Sequence, residues 1–318
     1  MTCMRISSVR FWLPSVGLVV SLIACSGVGS SVAPVAVANR GSADKRRVSS
    51  AVYAYVDDPY GNFVDAFDRR GKLLGKITTG LNGPQGLYVD SSRNLWVANT
   101  SGNNVLVFPP GSSTPSRTLD DAGAYPGDVV LGTDGTAYVA NILDQSGYGS
   151  IEVYPPGQSE PARALRDPDA AENLFITIDT HGNLFVTVAK LPVKGLYIGR
   201  VDEYVGAQQS GLKRLRMKLG APGGIHVFRS RLLICDTTEE TVREYTETGQ
   251  PTGHVLVTGG SWGGFDVNSS GAKLLGADQT YLEGLARRFP GEKITHVYRD
   301  SAFQYPVGAA YARRQEDQ

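Results

Sequence analysis

Cysteine and histidine are scarce in this 318-residue chain, with 3 and 4 copies, and net charge is absent because 31 Lys+Arg balance 31 Asp+Glu. Without a positive excess, a nucleic-acid binder that works through bulk charge is excluded. Three cysteines cannot build a disulfide scaffold. No Cys-x-x-Cys, phosphate-loop or His-Glu-x-x-His pattern occurs, which removes common signatures of structural zinc, nucleotide binding and zinc proteolysis. What the chain holds in quantity is 38 Gly and 17 Pro, beside 41% hydrophobic and 19% charged residues. That composition is globular, and its turn formers are too many for a helical protein, so it predicts an all-β fold.

The N-terminus reads as an export address. Residues 1–24 carry Arg5 and Arg10, continue through an apolar run from Phe11 to Ile23, and lead into Leu22-Ile23-Ala24-Cys25. The run falls short of the roughly 20 residues of a membrane span and is interrupted by Pro14, so it reads as a cleaved signal. Leu-Ile-Ala-Cys resembles the bacterial lipobox, whose Cys is acylated before cleavage just ahead of it. The resemblance implies Cys25 as a lipidated first residue and a place in the bacterial cell envelope, on the extracytoplasmic side. Ser26 after it implies the outer membrane where the source has two membranes. The other reading is an ordinary signal peptide with Cys25 incidental. Cleavage leaves 29 Lys+Arg against 31 Asp+Glu, a balance of −2, and a lipidated Cys25 leaves Cys235 no disulfide partner. Residues 25–50 are small and polar, as in a flexible tether, and 51–318 form the expected folded domain.

Beyond residue 50 the chain repeats itself. Val105-Leu-Val-Phe-Pro-Pro-Gly through Leu119 aligns without a gap on Ile151-Glu-Val-Tyr-Pro-Pro-Gly through Leu165. Looser copies of the aromatic-ended strand put anchors at Phe67, Phe108, Tyr154, Tyr204, Tyr245 and Phe289, spaced 41, 46, 50, 41 and 44 residues apart. Ahead of the anchors, Pro84-Gln-Gly-Leu-Tyr-Val-Asp through Asn99 matches Pro126-Gly-Asp-Val-Val-Leu through Asn141, with weaker versions around Ile176, Ile225 and Phe265. A unit of four short strands cannot cover both faces of its own sheet, so the repeat predicts propeller blades that shield one another. The first anchor lacks an inner strand and the segment Tyr305–Ala312 lacks partners. Together they complete a sixth, composite blade that removes the open edge.

Asn-Leu-Trp-Val-Ala-Asn, Tyr-Val-Ala-Asn and Pro-Gln-Gly-Leu-Tyr-Val-Asp resemble NHL/YVTN-type repeats of six-bladed propellers, over essentially residues 52–312. That superfamily also holds gluconolactonase-like and streptogramin-lyase-like proteins, and the resemblance implies the fold more sharply than an activity. A gluconolactonase-type metal site would need carboxylates at the starts of inner strands, but Gln85, Gly127, Leu174, Gly223, Gly263 and Val307 stand there. Asp128, one residue on, is alone, so a divalent metal is disfavoured and no cofactor is expected. A lyase-type site would need a His base, and His226, in an inner strand, is the weak candidate for catalysis together with Asp128. Packing between blades is the plainer reading of that His.

Two sets of residues remain as ligand-binding candidates. Asn99, Asn141, Asp236 and Asp278 recur at the ends of second strands, where they either cap turns or ring a face. Gln85, Tyr88, Asp128, Thr177, His226 and Asp266 sit on inner strands that converge on the axis. The expectation is a lipid-anchored monomer acting as a non-catalytic binding or scaffold module for a protein or carbohydrate. The alternative is a hydrolase or lyase for a small lactone, ester or sugar.

Overall fold

The computed structural model describes residues 51–312 apart from 171, 194–195, 218, 269, 272 and 289–292; the expected signal, Cys25, the tether and the anchor Phe289 lie outside the described residues. Blade I contains β1 (Ala54–Asp58), β2 (Phe63–Phe67) and β3 (Leu73–Ile77). Blade II is β4 (Pro84–Val89), β5 (Leu95–Asn99), β6 (Asn104–Phe108) and β7 (Arg117–Asp120). Blade III is β8 (Pro126–Leu131), β9 (Ala137–Asn141), β10 (Ser150–Tyr154) and β11 (Arg163–Leu165). Blade IV is β12 (Glu172–Ile178), β13 (Leu184–Val193), β14 (Leu196–Tyr204) and β15 (Leu212–Arg214). Blade V is β16 (Pro222–Val227), β17 (Arg231–Asp236), β18 (Thr241–Thr246) and β19 (Pro251–Thr258). Blade VI is β20 (Trp262–Val267), β21 (Lys273–Asp278), β22 (Glu283–Arg288) and β23 (Ile294–Tyr298), and β24 (Ala309–Tyr311) follows.

Each sheet has four antiparallel strands, and the innermost strands touch in a closed circle, so the chain is an all-β, six-bladed propeller. The inner strand of blade I is β24, which pairs with β1 through Ala54↔Tyr311, Tyr55↔Ala310 and Val56↔Ala309.

The aromatic anchors explain the repeat. Phe67, Phe108, Tyr154, Tyr204 and Tyr245 are buried, and each lies in an apolar cluster shared with the preceding blade. Phe108, for example, meets Val64 and Ile77 of blade I, and Tyr154 meets Val105 and Leu119 of blade II. Six such clusters fill the six gaps between blades, so the core is a ring of interfaces. The outer strand of blade IV is short. β15 stops at Arg214, whose guanidinium turns to the buried carboxylate of Asp167.

Two consecutive acids hold the composite blade together. Asp58 Oδ2 accepts the backbone N–H groups of Gln304 and Tyr305, and Asp57 Oδ1 accepts those of Val307 and Gly308, at 3.2 and 2.7 Å. Residue 306 is Pro and has no N–H, so every backbone donor from Gln304 to Gly308 ends on this pair. Both acids are fully buried. Gly308 is needed for the approach, because a Cβ there would run into the Gln85 carbonyl and the Asp57 carboxylate. Removing Asp57 orphans the buried donors of Val307 and Gly308, at about 1–3 kcal/mol for each group, whereas the donors that Asp58 serves, on exposed Gln304 and half-buried Tyr305, keep access to water. Asp57→Ala is therefore expected to lower the urea midpoint with an unchanged slope and a loss of about 3 kcal/mol, whereas the exposed Tyr281→Ala change leaves stability within about 0.5 kcal/mol.

Candidate functional site

In this topology the loops that lead into inner strands and the turns between second and third strands share one face, here termed the entry face. Asn99, Asn141, Asp236 and Asp278 stand where second strands reach that face, and Asp58 occupies the same register position in blade I. Asn99 Oδ1 accepts the N–H of Asn82 while its Nδ2 donates to the Gly80 carbonyl and to Asn104. Asp236 accepts N–H groups from Gly220, Ala221, Thr238 and Glu239, and Asp278 accepts from Trp262, Thr280 and Tyr281. These three side chains are buried and their polar atoms serve the local loops, which is the capping geometry rather than an open ring of ligand contacts. Asn141 is buried too but bonded differently, as described below.

The axis is narrow at mid-height. There the space is ≈ 20 Å³, lined by Gly86, Asp128, Phe175, Gly224, Gly264 and Gly308 among others. Phe175 closes it. Its ring reaches from blade IV to blade VI, where Cε1 lies 3.2 Å from the point a Cβ on Gly264 would occupy. Beyond this plug, toward the ends of the inner strands, the channel opens into a cavity of ≈ 260 Å³. Tyr88, Asp128, Thr177, His226 and Asp266 line it, whereas Gln85 sits at the start of its strand and is not among the lining residues.

Three of the five polar side chains in this cavity join one blade to the next. Asp128 accepts the N–H of Val129 at 2.9 Å and, across the joint, that of Ile176 at 3.0 Å. Asp266 does the same with Val267 at 2.7 Å and Tyr311 at 2.9 Å, and Thr177 Oγ1 accepts the Val227 N–H at 3.2 Å. His226 Nδ1 lies 3.8 Å from Asp266 Oδ1, beyond hydrogen-bond length. Burial pushes the Asp128 carboxyl up to about 7, against the pull of its two N–H bonds and with the Asp266 charge adding to the rise. Asp57 is driven well above the usual carboxylate range by burial, with Asp58 and Asp128 contributing.

Exposed aromatic surface gathers elsewhere. Among the described residues the exposed tyrosines are Tyr60, Tyr125, Tyr148 and Tyr281, at 55%, 37%, 50% and 62%, and every one lies in an entry-face loop. Tyr305 ties two of these loops together: its ring meets that of Tyr60 edge-on at 5.6 Å and its hydroxyl is 3.0 Å from Gln279 Oε1, two residues before Tyr281. Leu282 follows, exposed and at φ 54°. Asn62, Asn103 and Glu240 take the same left-handed turn position in other blades, a conformation that Asn tolerates and a branched apolar side chain resists. The tyrosines fall at different positions of these loops, so the repeat alignment did not single them out. Phe175 was legible as a large residue where most other blades carry Gly. Gly259-Gly260-Ser261-Trp262-Gly263 matches a Gly-x-Ser-x-Gly pattern, but it leads into strand β20 instead of the strand-to-helix elbow that presents a nucleophile.

No protein-family model and no curated protein sequence matches the chain. Solved structures do. A nidogen–laminin complex contains a chain with a TM-score of 0.67 at 14% identity, over 82% of this chain and 98% of that one. A protein of unknown function from Desulfotomaculum acetoxidans gives a TM-score of 0.56 at 15% identity, over 82% and 98%, and the hydrazine synthase of Kuenenia stuttgartiensis gives 0.55 at 17%, over 76% and 74%. At these identities the likeness is one of fold.

The Asp128 carboxyl makes a testable demand on pH. Its folded value of about 7 lies above the ordinary 3.8, so the fold binds its proton more tightly than the unfolded chain does. Its contribution to stability is fully present below about pH 4 and is lost as pH rises through about 7. Urea titrations across that window are expected to show a shallower decline in Asp128→Asn than in the parent; parallel curves would count against the assignment.

Proposed function

We propose that the protein is a lipid-anchored, extracytoplasmic binding module of the NHL/YVTN-type propeller class, carried in the bacterial cell envelope on Cys25 and engaging a protein partner through its tyrosine-bearing entry face. The observation that carries this reading is the division of labour across the ring. Asp128, Thr177 and Asp266 on the axis are spent on holding neighbouring strands, while the exposed tyrosines collect on one face. Tyr supplies wide, rigid contact area at low entropic cost, and the surrounding Asn, Gln, Ser, Thr and Gly supply adaptable hydrogen bonds, a composition shared with antibody paratopes.

The direction of the chain supports the same reading. β1 is a second strand and runs toward the entry face, so the polypeptide joins the propeller on the opposite side. A tether attached there leaves the tyrosines free to face away from an anchoring membrane. The propeller in the nidogen–laminin structure belongs to a protein complex, which is consistent with such a role for the architecture.

A photo-crosslinking phenylalanine analogue at position 281, in cells making the full chain, is expected to give a discrete protein adduct that disappears in Tyr60→Ala. The same analogue at Ile294, on the outer strand of blade VI, is expected to give none. No adduct from 281, or an equal one from 294, overturns the face assignment. Tritiated palmitate is expected to label the parent and not Cys25→Ala. The hydrolase or lyase alternative would have to draw on His226 in the cavity, and p-nitrophenyl acetate turnover abolished by His226→Ala would replace the binding reading with an enzymatic one.

A further inference from the structure

Blade III departs from the capping rule at one position. Where Asp58, Asn99 and Asp236 receive backbone N–H groups from the incoming loop, Asn141 instead meets the Asp121 carboxylate. Its Nδ2 is 3.4 Å from Asp121 Oδ1 and 3.3 Å from Ser150 Oγ, and Ser150 Oγ is 3.5 Å from Glu152 Oε1. Asn141 Oδ1 and Asp121 Oδ2 have no hydrogen-bond partner, although Asn141 is 0% and Asp121 4% exposed.

Oxygen is in surplus here. Two carboxylates and an amide carbonyl draw on one amide NH₂ and two hydroxyls, and the Tyr154 hydroxyl is shared between Asp121 and the Asp120 carbonyl. Arg166 approaches from the solvent side, pairs with Asp144 at 2.8 Å and reaches Glu152 only at 3.4 Å. The spacings of 3.3–3.5 Å are long for good hydrogen bonds between such groups. With the Asn141 amide turned so that its oxygen takes the place of Nδ2, all three match the oxygen-to-oxygen edge, roughly 3.4 Å, of a shell whose calcium–oxygen bonds are about 2.4 Å. The donor set is also of that kind: two carboxylates, an amide and a hydroxyl, all hard oxygen ligands.

We propose that Asp121, Asn141, Ser150 and Glu152 form a calcium-class divalent-cation site that closes blade III as backbone N–H groups close its neighbours. The Asn141 amide turns to present its oxygen, and the ion joins the incoming loop at Asp121 to the third strand at Ser150 and Glu152. The site lies where the loop from blade II enters blade III, away from the axis.

The test uses the full chain stripped with EDTA, followed by thermal unfolding and calorimetric titration with calcium chloride or magnesium chloride. Calcium is expected to raise Tm saturably with one ion per chain, and magnesium, which favours shorter bonds and a stricter octahedron, to raise it less. Glu152→Gln, on a strand and sterically matched, is expected to keep the parent circular-dichroism spectrum and lose about tenfold or more in calcium affinity. Asp121→Asn is expected to do the same, and where it fails to fold Glu152→Gln decides. A parent Tm indifferent to calcium, equal shifts from the two metals, or a Glu152→Gln variant with parental affinity would each overturn the site.

Discussion

The pairing of Asp57 and Asp58 with the backbone of Gln304–Gly308 is the constraint on which the rest of the molecule depends. Five blades are continuous in sequence and gain their order locally, through hairpins and the anchor aromatics. The composite blade has no such help. Its inner strand contributes three residue pairs to β1, too few to hold a ring by themselves, and the two carboxylates add four N–H bonds just ahead of them. A carboxyl oxygen accepts two N–H groups at once, which suits the one joint where chain connectivity does not assist.

The same economy runs around the axis. Asp128, Thr177 and Asp266 occupy inner strands of three blades, and each receives an N–H from the strand of the following blade. A polar residue near a propeller axis invites a catalytic reading, and the geometry explains why that reading is weak here. A carboxylate that already accepts two backbone bonds is fixed in direction and occupied in function. Phe175 adds a steric reason by closing the channel at mid-height. Recognition surface is therefore sought outside the channel, on loops that vary freely because the strands beneath them do not.

Much of the architecture was legible because burial is periodic. Phe108 and Tyr154 recur in matching sequence contexts since each fills the same gap against the preceding blade, and that requirement leaves a trace in composition. The Pro-Pro-Gly turns and the Asn residues at strand ends were visible for similar reasons. The site was less legible. Tyr88, Thr177, His226, Asp128 and Asp266 do line one cavity, but nothing in their spacing revealed that several are joined to a neighbouring strand. Asp57 escaped notice because the corresponding positions in blades II, III and VI are Ala98, Ala140 and Ala277, so no repeat pointed to it. Tyr60, Tyr148 and Tyr281 escaped because they fall at different positions of their turns.

The closing strand lies at the very end of the folded sequence, and its bonds to Asp57 span 250 and 251 residues. A chain emerging from its N-terminus can assemble blades II to VI one after another, yet blade I waits until the last of them is finished. Contacts between residues so far apart are slow to form. Arrival of β24 is thus the event that commits the molecule to its native ring, and any product cut short before it, however well its internal blades have formed, keeps an exposed β1 edge.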